Sequence, residues 1–215
     1  MNTINTINTK ECYNALLAQK LIEEFKKRNM EGLYCASKED ALKKVLEMIP
    51  KESLVSCGSS VTLDEIGLRA ALKSEGYNFL DPKDAQAQGA SAMEKIAHQA
   101  LSADYFLMSS NAISATGEMV NADGIGNRVA PLIFGPKNVI VIAGINKVEP
   151  NLEAAILRVK NYAAQMICLA FKKDYSNFDD LSKVAQNSCN QLVITSGSVF
   201  KGRIKVIIVG ESLGY

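Results

Sequence analysis

Apolar residues recur along this chain in two rhythms, and their alternation predicts the fold. From Lys10 to Met30, the residues Tyr13, Leu16, Leu17, Leu21 and Phe25 recur at helical spacing with Lys and Glu opposite. This predicts a helix ended by Gly32, with Lys26, Lys27 and Arg28 in the last turn, where cations suit the helix dipole. Leu33 to Ala36 reads as a short strand. Ser37 then caps a second helix whose inner face is Ala41, Leu42, Val45, Leu46 and Ile49, and Pro50 stops it. Ser53 to Cys57 is a strand that runs into Gly58-Ser59-Ser60-Val61. A third helix is expected from Thr62, with Thr62 and Glu65 as its capping box.

Tyr77 to Leu80 reads as a strand, followed by a polar loop. Ser91 and Glu94 box the start of another helix, with Met93, Ile96, Ala97, Ala100 and Leu101 facing inward. Tyr105 to Ser109 is a strand. Ala112 to Ala115 and Met119 to Ala122 are matched for a hairpin across Thr116-Gly117-Glu118, with Asp123-Gly124 turning the chain. Asn127 to Phe134 reads as a helical turn ended by Gly135-Pro136, and Val139 to Ala143 as a buried strand. Pro150 opens a long helix, with Leu152, Ala155, Ile156, Val159, Tyr162, Ala163, Met166 and Ile167 on one face. Lys172 to Asn190 reads as a long loop with one helical turn at Asp179 to Ala185. Gln191 to Thr195 and Ile204 to Val209 are strands that either pair antiparallel or join a mixed sheet.

Helices alternating with strands predict an α/β fold, a mainly parallel sheet covered on both faces. Residues 1–9, a short Asn/Thr repeat, are expected to form a disordered tail, and residues 10–215 one domain.

The chain has 215 residues, 47% hydrophobic, and a formal net charge of +1, so nothing marks a nucleic-acid stripe or a membrane surface as the partner. No apolar run approaches the ~18–20 residues needed to span a bilayer. The start of the chain lacks the pattern of a signal peptide. Five cysteines, widely spaced and without C-x-x-C, argue against a disulfide framework or a zinc site of standard spacing, and cytoplasm is the expected compartment. A single histidine excludes catalysis by His pairs. No metal and no cofactor are assigned.

Chemistry concentrates in two places. Gly58 to Val61 joins a strand to a helix N-terminus, an arrangement whose free N–H groups attract anions, although many such turns bind nothing. Cys57 just before it is either a nucleophile activated by the helix or, the better reading, a buried strand cysteine. The segment Asn111 to Lys147 is rich in glycine and packs polar residues between two strand-like runs, where a core would not leave them unpaired. Gly124-Ile125-Gly126-Asn127-Arg128-Val129 has Val129 where a dinucleotide fingerprint needs its third glycine, and that reading is rejected. Both places follow strand ends, so they are candidates for two walls of one crevice. His98 is read as a surface or boundary residue.

Three stretches carry a resemblance: CGSSVTLDEIGL, SSNAISATGEMVNADGIGNRVAPLIFGPKNVIVIAGINKV and the terminal KGRIKVIIVGESLGY. They resemble the lactate-utilization (LUD) domain family, and the likeness covers nearly the whole chain. It implies a three-layer α/β/α fold like that of the NagB/RpiA/CoA-transferase superfamily. It also implies an accessory subunit in the oxidation of lactate to pyruvate, alongside iron–sulfur subunits, with a homo-oligomer as a further expectation. By that likeness the crevice, suited to a small carboxylate, phosphate or CoA ester, is lined by Gly58, Ser59, Ser60, Asn111, Thr116, Gly117, Asn121, Asp123, Gly124, Gly126, Asn127 and Arg128. Lys147 adds a positive charge at its rim. Many members carry a cysteine-rich stretch before the last strands. This chain keeps Cys168 and Ser188-Cys189-Asn190, with Lys172 to Asn187 where further cysteines would sit.

The alternative is an enzyme of the CoA-transferase or isomerase type, with Glu118 as nucleophile or acid/base. Against it stands a structural role in which Glu118 pairs with Arg128 and holds the loop. Asp123 is equally a turn former, Asn127 a helix cap, and Arg128 either a carboxylate or phosphate clamp or a loop anchor.

Overall fold

The computed structural model describes residues 8–171 and 173–215, so most of the expected tail (residues 1–7) lies outside the described residues. In chain order the first half runs α1 (Thr9–Lys27), β1 (Glu31–Cys35), α2 (Lys38–Met48), β2 (Leu54–Cys57), α3 (Val61–Glu65), α4 (Leu68–Ser74) and β3 (Asn78–Leu80). Next come α5 (Pro82–Gln86), α6 (Ala90–Ala100), β4 (Tyr105–Met108), β5 (Ala112–Ser114), β6 (Met119–Asp123), α7 (Val129–Phe134) and β7 (Asn138–Gly144). The chain closes with β8 (Val148–Glu149), α8 (Leu152–Arg158), α9 (Ala164–Ala170), α10 (Phe178–Ser188), β9 (Gln191–Thr195) and β10 (Ile204–Val209).

Six strands form one parallel sheet in the order β1-β10-β7-β4-β2-β3. Its central strands are largely apolar, with Ser56, Asn138 and Lys205 as exceptions, as suits a sheet covered on both faces. Alternation assigns each side chain to a face. Val139, Val141 and Ala143 of β7 join Leu21 and Phe25 of α1 on one side. Ile140 and Ile142 join Ala41 and Val45 of α2 and Leu63, Leu68 and Leu72 of α3 and α4 on the other. The result is the expected three-layer α/β/α arrangement.

A second, mixed sheet of four strands has the order β8-β5-β6-β9. The hairpin β5–β6 forms as expected, with Ala112 opposite Val120. Ile113 and Met119 face the main core, while Ala112, Val120 and Ala122 pack on Ala155 and Val159 of the long helix. β9 and β10 therefore neither pair with each other nor share a sheet. β9 pairs with β6, and β10 inserts between β1 and β7.

Several local expectations are corrected. Helix α1 stops at Lys27, because Asn29 takes a left-handed φ of 58° and the N–H groups of Asn29 and Met30 donate back to Lys26 and Phe25 carbonyls. Gly32 does not end that helix. It lies in β1, where an added Cβ would stand 2.9 Å from Ile22 Cα, so it permits close approach of strand and helix. The buried stripe of α1 is Asn14, Ala18, Leu21 and Phe25, while Tyr13 and Leu16 face outward.

Ser60, not Thr62, caps α3 by accepting from Leu63 N–H, and Glu65 reaches elsewhere. Helix α6 starts at Gly89 without a side-chain cap, so the Ser91–Glu94 box does not form. Only Ala100, in its last turn, reaches the core, and Leu101 is exposed. His98 lies on the outer face of α6, as read.

The long helix is capped by Asn151, which puts Pro150 ahead of the cap. A π-helical turn at Val159–Ala163 separates α8 from α9. The polar stretch after it holds a full helix, α10, capped by Asn177. Only Leu181 and Ala185 of α10 are buried, and they pack on Ala164 and Cys168. Phe178, Leu181, Val184 and Ala185 recur at helical spacing, so the helix extends over the whole of this pattern rather than the single turn expected.

Candidate functional site

The loops after β2, β4 and β7 leave the same end of the parallel sheet, the end where α/β proteins hold ligands. There Lys147 closes a 3₁₀ turn at Ile145–Lys147. Its ammonium donates to Thr62 Oγ1 and to Ser109 Oγ, each at 2.9 Å. The residue is 3% exposed, so it is no rim charge as expected but a buried one. Burial pushes its pKa down to about 7. Arg158 and, more weakly, Arg128 push the same way, and Glu65 opposes them. Among the described residues it has no carboxylate in ion-pair contact. A buried ammonium held only by hydroxyls is an uncompensated charge.

Ser109 lies two residues before Asn111. The Asn111 N–H donates to Asn121 Oδ1 at 3.2 Å, and Asn111 Oδ1 accepts from Ala122 N–H at 3.0 Å. The two asparagines thus cross-brace the open end of the β5–β6 hairpin. Asn121 Nδ2 is buried without a hydrogen-bond partner among the described residues. The Arg158 guanidinium donates to the Asn111 carbonyl at 2.6 Å and stands 3.5 Å from Glu149. Its carbon lies 5.1 Å from the Tyr162 ring centre, so the π-helical turn supports the arginine.

Gly58 and Arg128 meet, so the two predicted walls do come together. An added Cβ on Gly58 would stand 2.8 Å from Arg128 Cγ. The Gly58 carbonyl accepts from Arg69 at 2.7 Å. Asp123 Oδ2 accepts from Arg128 N–H (3.0 Å) and Val129 N–H (3.2 Å), so Asp123, not Asn127, caps α7. The Arg128 side chain stands 3.5 Å from Asp123 and donates to the Ala122 carbonyl, which makes it the loop's anchor. Gly126 has the left-handed φ of 86° that this loop requires, and the Gly124 carbonyl accepts from Asn190. Ser59 is exposed and Asn127 half-buried at the border of the site.

Thr116, Gly117 and Glu118 lie elsewhere, at the closed tip of the hairpin. Glu118 pairs with Arg28 of the first helix, not with Arg128. Burial pushes the Glu118 carboxyl up. Hydrogen bonds from Thr116, its own backbone and Ser114, with the Arg28 charge, outweigh that and hold it below the ordinary carboxylate value. Gly117, at φ 95°, packs against Arg28 and Glu24. Cys57 is buried and its thiol is pushed up to about 12, which fits the structural reading.

Sequence reasoning missed four contributors: Thr62 as a partner of Lys147, Ser109, Arg158, and the irregular segment after β10. Leu213 N–H donates to Asn146 Oδ1 (3.0 Å) and the Leu213 carbonyl accepts from Thr62 (3.5 Å). Gly214 N–H donates to Glu65 (2.6 Å). An added Cβ on Gly214 would stand 3.3 Å from Lys147 Nζ, so this strap lies directly over the amine. Asn146 and Arg158 also line an open groove of about 540 Å³ with Glu149 and Tyr162.

The chain is thus a three-layer α/β/α protein with a buried lysine held by two hydroxyls at the strand ends. The LUD domain profile matches residues 18–209, and the chain belongs to the LUD domain family, whose name ties it to lactate utilization. Its fold is similar to that of a DUF162 family protein from Deinococcus radiodurans, with a TM-score of 0.56 and 12% identity over 91% of this chain and 98% of that one. No curated protein matches the chain. No helix among the described residues is long and apolar enough to cross a membrane.

Proposed function

We propose that this LUD-domain chain is a cytoplasmic accessory subunit in the oxidation of lactate to pyruvate, working beside iron–sulfur subunits and holding a small carboxylate in the Lys147 crevice. The observation that carries the reading is Lys147 itself: a buried amine with two hydroxyl partners and, among the described residues, no carboxylate in ion-pair contact. A carboxylate ligand supplies the missing charge. Arg158 and Arg128 add positive potential and disfavour a cationic ligand. Entry requires the Leu213–Gly214 strap to shift, since its bonds to Thr62, Asn146 and Glu65 close the site.

The ion pair of Glu118 with Arg28 supports this binding reading over a glutamate nucleophile. A nucleophile needs a free carboxylate beside the substrate, and Glu118 is committed to a structural partner. The test is a thermal-shift screen with lactate, pyruvate, acyl-CoAs, sugar phosphates and folates on wild type, Lys147→Met and Arg128→Ala. The expected result is a shift with lactate or pyruvate that Lys147→Met abolishes. A shift only with acyl-CoAs or sugar phosphates would favour the enzyme reading. No shift with any of them would remove the small-molecule reading.

A further inference from the structure

The other end of the molecule carries an apolar surface that the lactate reading does not use. Ile133 and Phe134 from α7, Ile194 from β9, and Val199 and Phe200 from the following loop share a groove of about 850 Å³. Phe134 is 87% exposed and Val199 91%. Contiguous exposed apolar side chains of this size mark interaction surfaces. The groove includes Asn138, where β7 begins, whereas Lys147 follows the other end of that strand. The two sites are separate, and this inference stands whether or not Lys147 binds an anion.

Two further features define what fits. The first is charge. Lys137, Lys201, Arg203 and Lys205 line the groove and no acidic residue does. Among the described residues none of these four forms an ion pair. Arg203 is spent on the carbonyls of Pro136, Leu132 and Pro131, and Lys205 on Gly202 and Asn138, which satisfies hydrogen bonds but not charge. In a chain with a net charge of only +1, this is a local excess.

The second feature is backbone. β9 is the outer strand of the four-stranded sheet, and its other side has no strand neighbour among the described residues. Its sequence, QLVIT, has no proline and no charge, so it lacks the usual protection against pairing with another chain. A second copy docked by two-fold symmetry would set the four cations of one groove against those of the other. That arrangement is repulsive.

We infer that this groove and the free edge of β9 form a docking site for an extended, acidic segment of a partner protein. The segment adds a fifth strand to the small sheet, sets large apolar side chains against Phe134 and Phe200, and points carboxylates at Lys137 and Lys201.

The experiment uses the whole chain and two dye-labelled peptides of about ten residues, long enough for one strand. Both alternate Ile, Val and Phe with charged residues; one carries Glu and the other Lys. Fluorescence anisotropy should show saturable binding of the Glu peptide and at least roughly tenfold weaker binding of the Lys peptide. Amide exchange should slow along β9 on binding. Phe134→Asp with Phe200→Asp, and separately Lys137→Glu with Lys201→Glu, should each weaken the Glu peptide by about tenfold or more. All four positions are exposed, so these variants keep the fold. Equal binding of both peptides, or none up to about 1 mM, overturns the proposal. So does slowed exchange elsewhere, or sedimentation as a dimer that Phe134→Asp dissociates.

Discussion

Arg28 and Glu118, 90 residues apart in the chain, form an ion pair that ties the end of the first helix to the tip of the β5–β6 hairpin. Arg28 also donates to the Thr116 carbonyl (2.9 Å) and the Ser196 carbonyl (2.8 Å), so one guanidinium holds three segments. Arg28→Met should cost roughly 1–3 kcal/mol in urea unfolding, since it strands a mostly buried carboxylate and two carbonyls. The Glu118 carboxyl is held below its ordinary value in the fold. Its stabilisation is therefore present above the unfolded-state pKa and is lost as pH falls through the lowered folded value. Unfolding curves at pH 7 and pH 3 should show a smaller acid-induced loss in Glu118→Gln than in wild type. Equal losses would mean that the pair contributes nothing.

Lys147 should make the protein less stable, not more. Its pKa falls from 10.5 to about 7 on folding, so between those values the unfolded chain binds more protons. Stability then rises with pH across that window and is flat below it. The burial penalty at neutral pH is on the order of 4 kcal/mol. Lys147→Met should raise the melting temperature at pH 7 and flatten the rise from pH 7 to pH 10. A melting temperature lowered by the substitution would assign Lys147 to the scaffold.

Gly58 and Arg128 should be coupled. Gly58→Ala forces its Cβ against Arg128 Cγ and should cost about 1–3 kcal/mol. With Arg128→Ala in place the obstructing atom is gone, and the same substitution should cost markedly less. A double-mutant cycle by chemical denaturation measures this. Additive effects would contradict the close approach.

The main sheet was legible because β4, β7 and β10 are largely apolar over strand-length runs, as in a sheet covered on both faces. The hairpin was legible from its turn. The second sheet was not, because β6 pairs with β9 across a wide sequence gap and no local pattern encodes that. The segments of Gly58 and Arg128, expected to lie near each other at the strand ends, do pack together. Lys147 was found but misplaced, since a lysine after a strand looks solvated until Thr62, Ser109 and Gly214 close around it. Thr62 was taken for a cap because Ser60, two residues earlier, offers the same hydroxyl. The partner of Glu118 was misassigned for the same reason: two arginines have identical local chemistry, and only the tertiary fold selects Arg28.

The most direct measurement is an NMR titration of lysine Cε carbons with and without saturating pyruvate or lactate, using Lys147→Met to assign the signal. Free protein should show one lysine titrating near 7. A bound carboxylate stabilises the ammonium, so it should raise that pKa by about one unit or more, and affinity should fall as pH rises through 7. A Lys147 signal that titrates with the other lysines, or one that no carboxylate moves, would contradict the account.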